Sequence, residues 1–320
     1  MPRKHDEEFE TTHTDYFRPN KEFVVSPLAT VDELATTHCK DYIDRFLHGR
    51  QSEKEQRNIG FPWSREGVDR ALSSVGGTLA AACSVCDELE RRRIDSSSSG
   101  FEMAPWAAHV AGGTHHAFYD YGEGFSVFSD IAVAANVVLQ RYPTLIKRIL
   151  ILDLDVHQGN GNAVLFQGRS EVSTVSFQCE GNYFSEKQKS DLDIELPMGC
   201  NDATYLMTLH HWLKRIEKLA GPSFYDLIFY QAGVDILEDD RLGRMNISAR
   251  GVQRRNELVY DFARRLNIPL VICMGGGYPR NADDWSPIID AHTHVYFQAH
   301  QYLCGLAKNA RCRPHGDDTS

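Results

Sequence analysis

Ionisable side chains stand at alternate positions of the otherwise apolar run ILILDLDVHQGNG, residues 149–161: Asp153, Asp155 and His157. On a strand, positions i, i+2 and i+4 share a face, so these three are expected to project together while Leu154 and Val156 pack on the other side. Two carboxylates and an imidazole in one low-dielectric place repel one another or take up protons unless a cation neutralises them, and a divalent metal does so. Asp155 and His157, ~7 Å apart along an extended strand, can both reach one ion near its end. Asp235, at the end of a later apolar run, is the candidate third ligand. Two carboxylates and one histidine with an open position match a catalytic zinc, because structural zinc sites close the fourth position and usually favour thiolates. The oxygen-rich set also leaves Fe(II), Mn(II) and Co(II) open.

Three more clusters carry reactive types beside glycines: GGTHHAF with His115 and His116, QAGVDILEDDRLG with Asp235, and MGGGYPR with Tyr278. A water activated by a metal needs a base beside it, which the histidine pair can supply. Tyr278 follows three glycines that let the backbone turn tightly, and its hydroxyl can meet a developing oxyanion. Each residue alone has a bland reading: core histidines, a helix-capping aspartate, a packed tyrosine ring. Together they would require four coincidences at one face of one sheet, and unpaired buried charges are costly. The chemistry that uses all of them is metal-assisted hydrolysis of an amide.

The elements that must position these clusters follow from periodicity. Short strands are expected at WAAHVAGG (106–113), RILILDLDV (148–156), VSTVSF (172–177), DLIFYQAGV (226–234) and PLVICMGGG (269–277). Helices are expected near 129–141, 203–220 and 248–267, and over 64–93, where Ser64 can cap the start. Such alternation implies a mostly parallel sheet covered on both faces, a single-domain three-layer α/β/α fold, and ligands at the carboxyl ends of its strands. Cys83 and Cys86 lie inside the 64–93 pattern, and no second pair with zinc-site spacing accompanies them, so they read as helical core.

Composition sets the outer bounds. The chain has 320 residues, 42% of them hydrophobic, with no linker-like composition shift in the middle, so one large domain is expected. Its formal charge of -10 and the lack of a basic stripe argue against nucleic-acid binding through phosphates and fit a cationic substrate or partner. Eight scattered cysteines and an N-terminus without an apolar signal core favour a reducing, intracellular setting, cytoplasmic or nuclear. No run approaches the ~20 apolar residues that span a bilayer, so no membrane partner is expected.

In this combination and order the four motifs resemble the histone deacetylase superfamily and its arginase-like α/β fold, over roughly residues 26–304. DLDVHQGNG and DILEDDRLG are most similar to class IV deacetylases and their bacterial relatives. The polar residues 1–22 read as an irregular segment and residues 306–320 as a flexible tail, and the resemblance implies a deacetylase-like catalytic domain at 23–305 between them. It implies zinc on Asp155, His157 and Asp235, His116 as general base and then acid, and His115 as its electrostatic partner. Asp153 would orient His115, and Tyr278 would bind the carbonyl oxygen. A structural potassium ion is implied around Asp153, Asp155, His157, Ser176 and Phe177. The acyl-lysine channel is implied to pass Gly124, Phe125, Leu242, Gly276 and Gly277, with Phe184, or alternatively Tyr183, at its rim. Where many deacetylases carry an aspartate behind the second histidine this chain has Asn160, which accepts a hydrogen bond but brings no charge.

The implied function is hydrolysis of N6-acyl-lysine in a protein or peptide, histone tails among the candidates, with the acyl length open. The alternative is a hydrolase of small amides such as acetylpolyamines. A two-manganese ureohydrolase needs more acidic ligands than the motifs hold, and a silent scaffold would have lost a ligand or the tyrosine.

Overall fold

The computed structural model describes residues 23–95, 103–183, 185–221 and 223–304. The irregular segment expected at 1–22, the tail at 306–320 and Phe184 lie outside them. Six parallel strands form one sheet: β1 Trp106–His109, β2 Ile149–Asp153, β3 Val172–Cys179, β4 Leu192–Leu196, β5 Leu227–Gln231 and β6 Leu270–Cys273, in the order β1-β6-β5-β2-β3-β4. β2 lies inside the sheet, and its apolar run divides cleanly between two cores. Ile149 and Ile151 join Leu227, Phe229 and Val271 on one face, whereas Leu150 and Leu152 join Ile228, Tyr230 and Ile272 on the other. A strand buried on both faces reads as a continuous apolar run, and here alternation reappears only as a choice between layers.

The first face is covered by α1 Val31–Leu34, α2 Lys40–Leu47, α3 Glu53–Ile59, α4 Arg65–Ile94 and α5 Asp130–Arg141. The short α6 Asn160–Leu165 follows β2 directly. The second face is covered by α7 Asp202–Ala220, α8 Ala249–Leu266 and α9 Ser286–Leu303. Local chemistry starts the helices where they start. Ser64 Oγ accepts the Gly67 N–H at 2.9 Å at the head of α4, and Thr30 and Ser52 form capping boxes with Glu33 and Glu55 for α1 and α3. The result is the expected three-layer α/β/α arrangement.

Two sequence expectations need correction. Four strands end three to four residues earlier than the apolar runs suggest, β1 at His109, β2 at Asp153, β5 at Gln231 and β6 at Cys273, whereas β3 runs on to Cys179, two residues past its expected end. Beyond β2 and β6 carboxylates capture backbone N–H groups and draw the chain away from the regular ladder, whereas beyond β5 the N–H groups of Ala232 and Val234 go to the carbonyls of Cys273 and Gly276. β4 was not expected either. It is an edge strand, LDIEL, whose alternate residues are less buried, so its apolar signal is weak. Among the described residues no helix is long and apolar enough to cross a membrane, and the seven described cysteines, Cys83 and Cys86 included, are free thiols.

Candidate active site

Asp153 is the last residue of β2, and the carboxylates that follow shape the backbone there. Asp153 Oδ1 accepts the N–H of Asp155 at 3.1 Å, and Asp155 Oδ1 accepts that of His157 at 3.0 Å. These local bonds compete with the extended strand and fold the chain back on itself. Asp155 and His157 therefore do not stand ~7 Å apart along a strand, as extended geometry has it. His157 Nδ1 lies 3.2 Å from Asp155 Oδ1. Asp235, four residues past the end of β5, comes in from the neighbouring strand: its Oδ2 is 3.1 Å from His157 Nδ1, and its Oδ1 accepts the Val156 N–H at 2.9 Å.

Asp155, His157 and Asp235 are buried, and one ligand atom of each lies within 4.8 Å of the others. This is the one group of three such residues suited to a metal among the described residues. Its electrostatics ask for a positive charge at the centre. Burial and then the Asp155 carboxylate push the Asp235 carboxyl up to about 8. Burial opposes a charge on His157, but its hydrogen bonds to Asp155 and Asp235 outweigh that and push the imidazole up to about 10. A buried Asp–His–Asp donor set of this kind fits a divalent cation, which meets the demand without protons. The loop after β6 is shaped around the same carboxylates. Gly276 donates its N–H to Asp155 Oδ2 at 2.8 Å, and a Cβ at Gly276 would come within 2.3 Å of Asp235 Oδ2 and 2.9 Å of Asp155 Oδ2.

The two histidines sit in the long loop after β1, whose last strand residue is His109. Asp130, at the head of α5, fixes that loop by accepting the N–H groups of Gly113 and Thr114, each at 2.8 Å. The two imidazoles lie with ring centroids 4.0 Å apart, each with its own orienting group. His115 Nδ1–H donates to Asp153 Oδ2 at 2.6 Å. Burial disfavours its charged form, yet Asp153 and Asp155 outweigh burial and push it up to about 9. His116 Nδ1 meets Asn160 Oδ1 at 2.8 Å, in the first turn of α6. Burial, then the neighbouring His115 and His157, hold His116 well below the ordinary 6.5. One imidazole is thus biased toward the cation and its neighbour toward the neutral base.

Tyr278 is carried on the other side of the site. Asp240 accepts its N–H at 2.6 Å and those of Leu242 and Gly243 at 2.8 and 2.7 Å, tying the loops after β5 and β6 together. Burial and then Asp235, Asp155 and Asp240 raise the Tyr278 phenol, so it remains a protonated donor.

Asp155, His157, His115, His116, Gly124, Phe125, Gly276 and Tyr278 line one cavity of about 420 Å³. Asp153 and Asn160 stand behind the imidazoles. Phe125 is half-exposed, adopts a φ of 64°, and places its ring 6.0 Å from that of Tyr278. Leu242 and Gly277 are not among the residues lining this cavity. Leu242 is held in the Asp240 turn, and the Cα of Gly277 faces His292, Val234 and Ile288. Tyr183 lies against the site, its ring centroid 5.6 Å from that of His116. Ser176 is the register partner of Asp153 on β3, and its buried Oγ has no hydrogen-bond partner; Phe177 beside it is fully buried.

Sequence reasoning missed two parts of this place. The cavity continues to Phe61, Arg70, Ser73 and Ser74, on and before a helix whose periodicity reads as core. Glu123 approaches Asn160, Tyr183 and Ser185; its only sequence signal is an acid between two glycines in YGEGF.

A model of the histone deacetylase domain matches residues 3–295. An uncharacterised protein of Picosynechococcus sp. is 41% identical over 251 residues, covering 78% of this chain and 77% of that relative. Histone deacetylase 2 of Arabidopsis thaliana is 34% identical over 230 residues, 71% of this chain and 52% of that protein. Histone deacetylase 1 of Homo sapiens is 27% identical over 285 residues, 82% and 52%. The match thus spans about half the length of the plant and human proteins. In fold, the crystal structure of an HDAC homolog from Aquifex aeolicus superposes with a TM-score of 0.69 at 24% identity, over 87% of this chain and 73% of that one. The domain match, running along nearly the whole chain and joined by a 34% identical named deacetylase, places this protein in the histone deacetylase family.

Proposed function

We propose that the protein is a metal-dependent amidohydrolase that removes acyl groups from the N6 atom of lysine in proteins or peptides. The observation that carries this reading is one cavity lined by Asp155 and His157, with Asp235 completing their donor set from behind, by two imidazoles biased in opposite directions, and by a protonated phenol.

Asp155, His157 and Asp235 would hold zinc, with Fe(II), Mn(II) or Co(II) as alternatives for an oxygen-rich set. Bound there, the ion would polarise the scissile carbonyl and acidify an attacking water. His116 is neutral and accepts the proton released as that water attacks, its Nδ1–H directed at Asn160. Because its own environment disfavours the cation, it hands the proton on to the leaving lysine amine. His115, held by Asp153, contributes positive charge beside the developing anion. Tyr278 donates its hydroxyl hydrogen to the oxyanion of the tetrahedral intermediate. The orphaned Ser176 Oγ, buried beside Asp153, supports a monovalent cation at that place, potassium being the candidate.

Phe125 and Gly124 would flank the lysine stem, and a chain of net charge -10 suits a cationic peptide, histone tails among the candidates. The test is hydrolysis of acetyl-lysine peptide, myristoyl-lysine peptide and acetylspermidine by zinc-reconstituted protein, with Tyr278→Phe and His116→Ala as controls. Peptide turnover that falls by about 100-fold or more in each variant is expected, as for removal of an oxyanion donor or a general base. Turnover of acetylspermidine alone would overturn the peptide substrate. Equal activity in both variants would overturn the mechanism.

A further inference from the structure

Asn160 is a neutral acceptor behind the second histidine, and the surrounding hydrogen bonds lead from it to a carboxylate one step further out. Asn160 Nδ2 donates to Glu123 Oε1 at 2.9 Å. Its Oδ1 accepts from the Gly161 N–H at 2.9 Å and faces His116 Nδ1 at 2.8 Å. A carboxylate can only accept and a backbone N–H can only donate, so the amide has one orientation that satisfies both. With Oδ1 toward the imidazole, the His116 proton must sit on Nδ1, and Nε2 keeps the lone pair.

Tyr183 makes a second arm to the same carboxylate. Its hydroxyl lies 3.1 Å from His116 Nδ1 and 3.4 Å from Glu123 Oε1. Because Nδ1 carries a proton, the phenol oxygen accepts from it and directs its own hydrogen to Glu123. Ser185 Oγ donates to the other oxygen, Oε2, at 3.0 Å, which fixes the carboxylate in turn. Both acceptors of the imidazole N–H therefore aim their own donors at one acid, and hydrogen bonds chained in this way polarise one another.

We infer that Glu123 is a positioning residue for His116: through the Asn160 amide and the Tyr183 hydroxyl it fixes the ring's Nδ1–H tautomer and supplies, at one remove, the negative charge that Asn160 does not carry. The inference rests on the proposed role of His116 as proton acceptor. It assigns a function to an acid that no motif marks, and it makes Asn160 a conduit where an aspartate would act directly.

The test is a double-mutant cycle of Glu123→Gln and Asn160→Asp in the full, zinc-reconstituted chain, read as turnover of an acetyl-lysine peptide. Glu123→Gln alone should lower kcat by about tenfold, as removal of an outer hydrogen-bonding partner does, and leave KM within about twofold. In the Asn160→Asp background the same change should alter kcat by less than about twofold, because the charge is then supplied directly. A merely structural Glu123 would give the same loss in both backgrounds, and that result, or no loss in either, would overturn the inference. Long-range proton–nitrogen correlation spectra of the His116 ring give a second readout independent of turnover. The unsubstituted chain should show Nδ1 protonated and Nε2 unprotonated, and Glu123→Gln should shift both nitrogens toward tautomer averaging. Unshifted ring nitrogens would overturn it. Should the unsubstituted protein turn over none of the peptides, the proposed function falls, and the ring spectra still decide the role of Glu123. Thermal unfolding of Glu123→Gln within a few degrees of the parent confirms that a folded protein is being compared.

Discussion

Gly276→Ala is the smallest change that separates a metal-binding geometry from a coincidental cluster of acids. The added methyl would meet Asp235 Oδ2 at 2.3 Å and Asp155 Oδ2 at 2.9 Å, whereas ordinary contact between carbon and oxygen begins near 3.4 Å. Neither carboxylate can simply swing aside. Asp235 Oδ1 is held by the Val156 N–H at 2.9 Å, and Asp155 Oδ1 by the His157 N–H at 3.0 Å. The third hold, from the Gly276 N–H to Asp155 Oδ2 at 2.8 Å, moves with the substituted residue itself. Relief of the clash therefore displaces a proposed ligand by roughly 1 Å, and a misplacement of that size costs about 100-fold where geometry governs the interaction, or about 2.7 kcal/mol. Gly276 is not among the glycines of positive φ, so the backbone tolerates alanine and the effect is confined to the site. Zinc affinity measured by competition with a fluorescent chelator should weaken by about 100-fold while far-ultraviolet circular dichroism is unchanged. A Gly276→Ala protein that binds one equivalent of zinc as tightly as the parent would refute the assignment of Asp155 and Asp235 as ligands to one ion.

Two further outcomes concern groups that support the site from behind. His38 donates Nδ1–H to Phe118 O at 2.8 Å and accepts the Ser129 N–H on Nε2 at 3.0 Å, so both nitrogens are committed to the neutral ring. Burial lowers its pKa from 6.5 to about 4, so between these values the unfolded chain binds the proton more readily. The stabilisation is complete above about pH 6.5 and drains away toward pH 4, by an amount of about 3 kcal/mol. His292, also lowered to about 4 by burial, acts in the same direction. The diagnostic is therefore the difference between parent and His38→Gln in urea unfolding from pH 7.5 to 4.5: the variant's curve should be flatter, and parallel curves would dismiss the assignment. Arg255 is fully buried, and its guanidinium donates to the carbonyls of Gly233 and Ala232, the residues that lead from β5 to Asp235. Arg255→Met strands those two carbonyls at similar volume and should cost about 2–5 kcal/mol in urea unfolding, against about 0.5 kcal/mol for Arg254→Ala on the exposed face of the same helix. Equal costs would show that the buried guanidinium contributes nothing specific.

The buried Asp–His–Asp cluster and the histidine pair were legible in the chain because strand ends of a parallel sheet have few uses for buried charge. Asp153, Asp155 and His157 interrupt an apolar run that has no structural need of them, and Asp235 and Tyr278 repeat the offence at two other strand ends. What was misjudged is how they meet. Periodicity carries an extended strand toward His157, but it cannot register that carboxylates capture the successive N–H groups of Asp155, Val156 and His157. The chain leaves the strand at Asp153, and His157 reaches Asp155 across a turn. The capture serves both ends of the problem, since the carboxylates that break the ladder also satisfy the backbone groups it would have paired, and this lets ionisable residues stay buried in the sheet's interior. Glu123 escaped sequence reasoning for the opposite reason. It lies in a loop, where acids are common and solvated, and only the folded chain brings it to Asn160 and Tyr183. The pattern of a strand reveals which residues are out of place, whereas the group that compensates for a missing charge can come from anywhere the fold delivers an acceptor. The neutral Asn160 was therefore readable as a departure, and its remedy only as geometry.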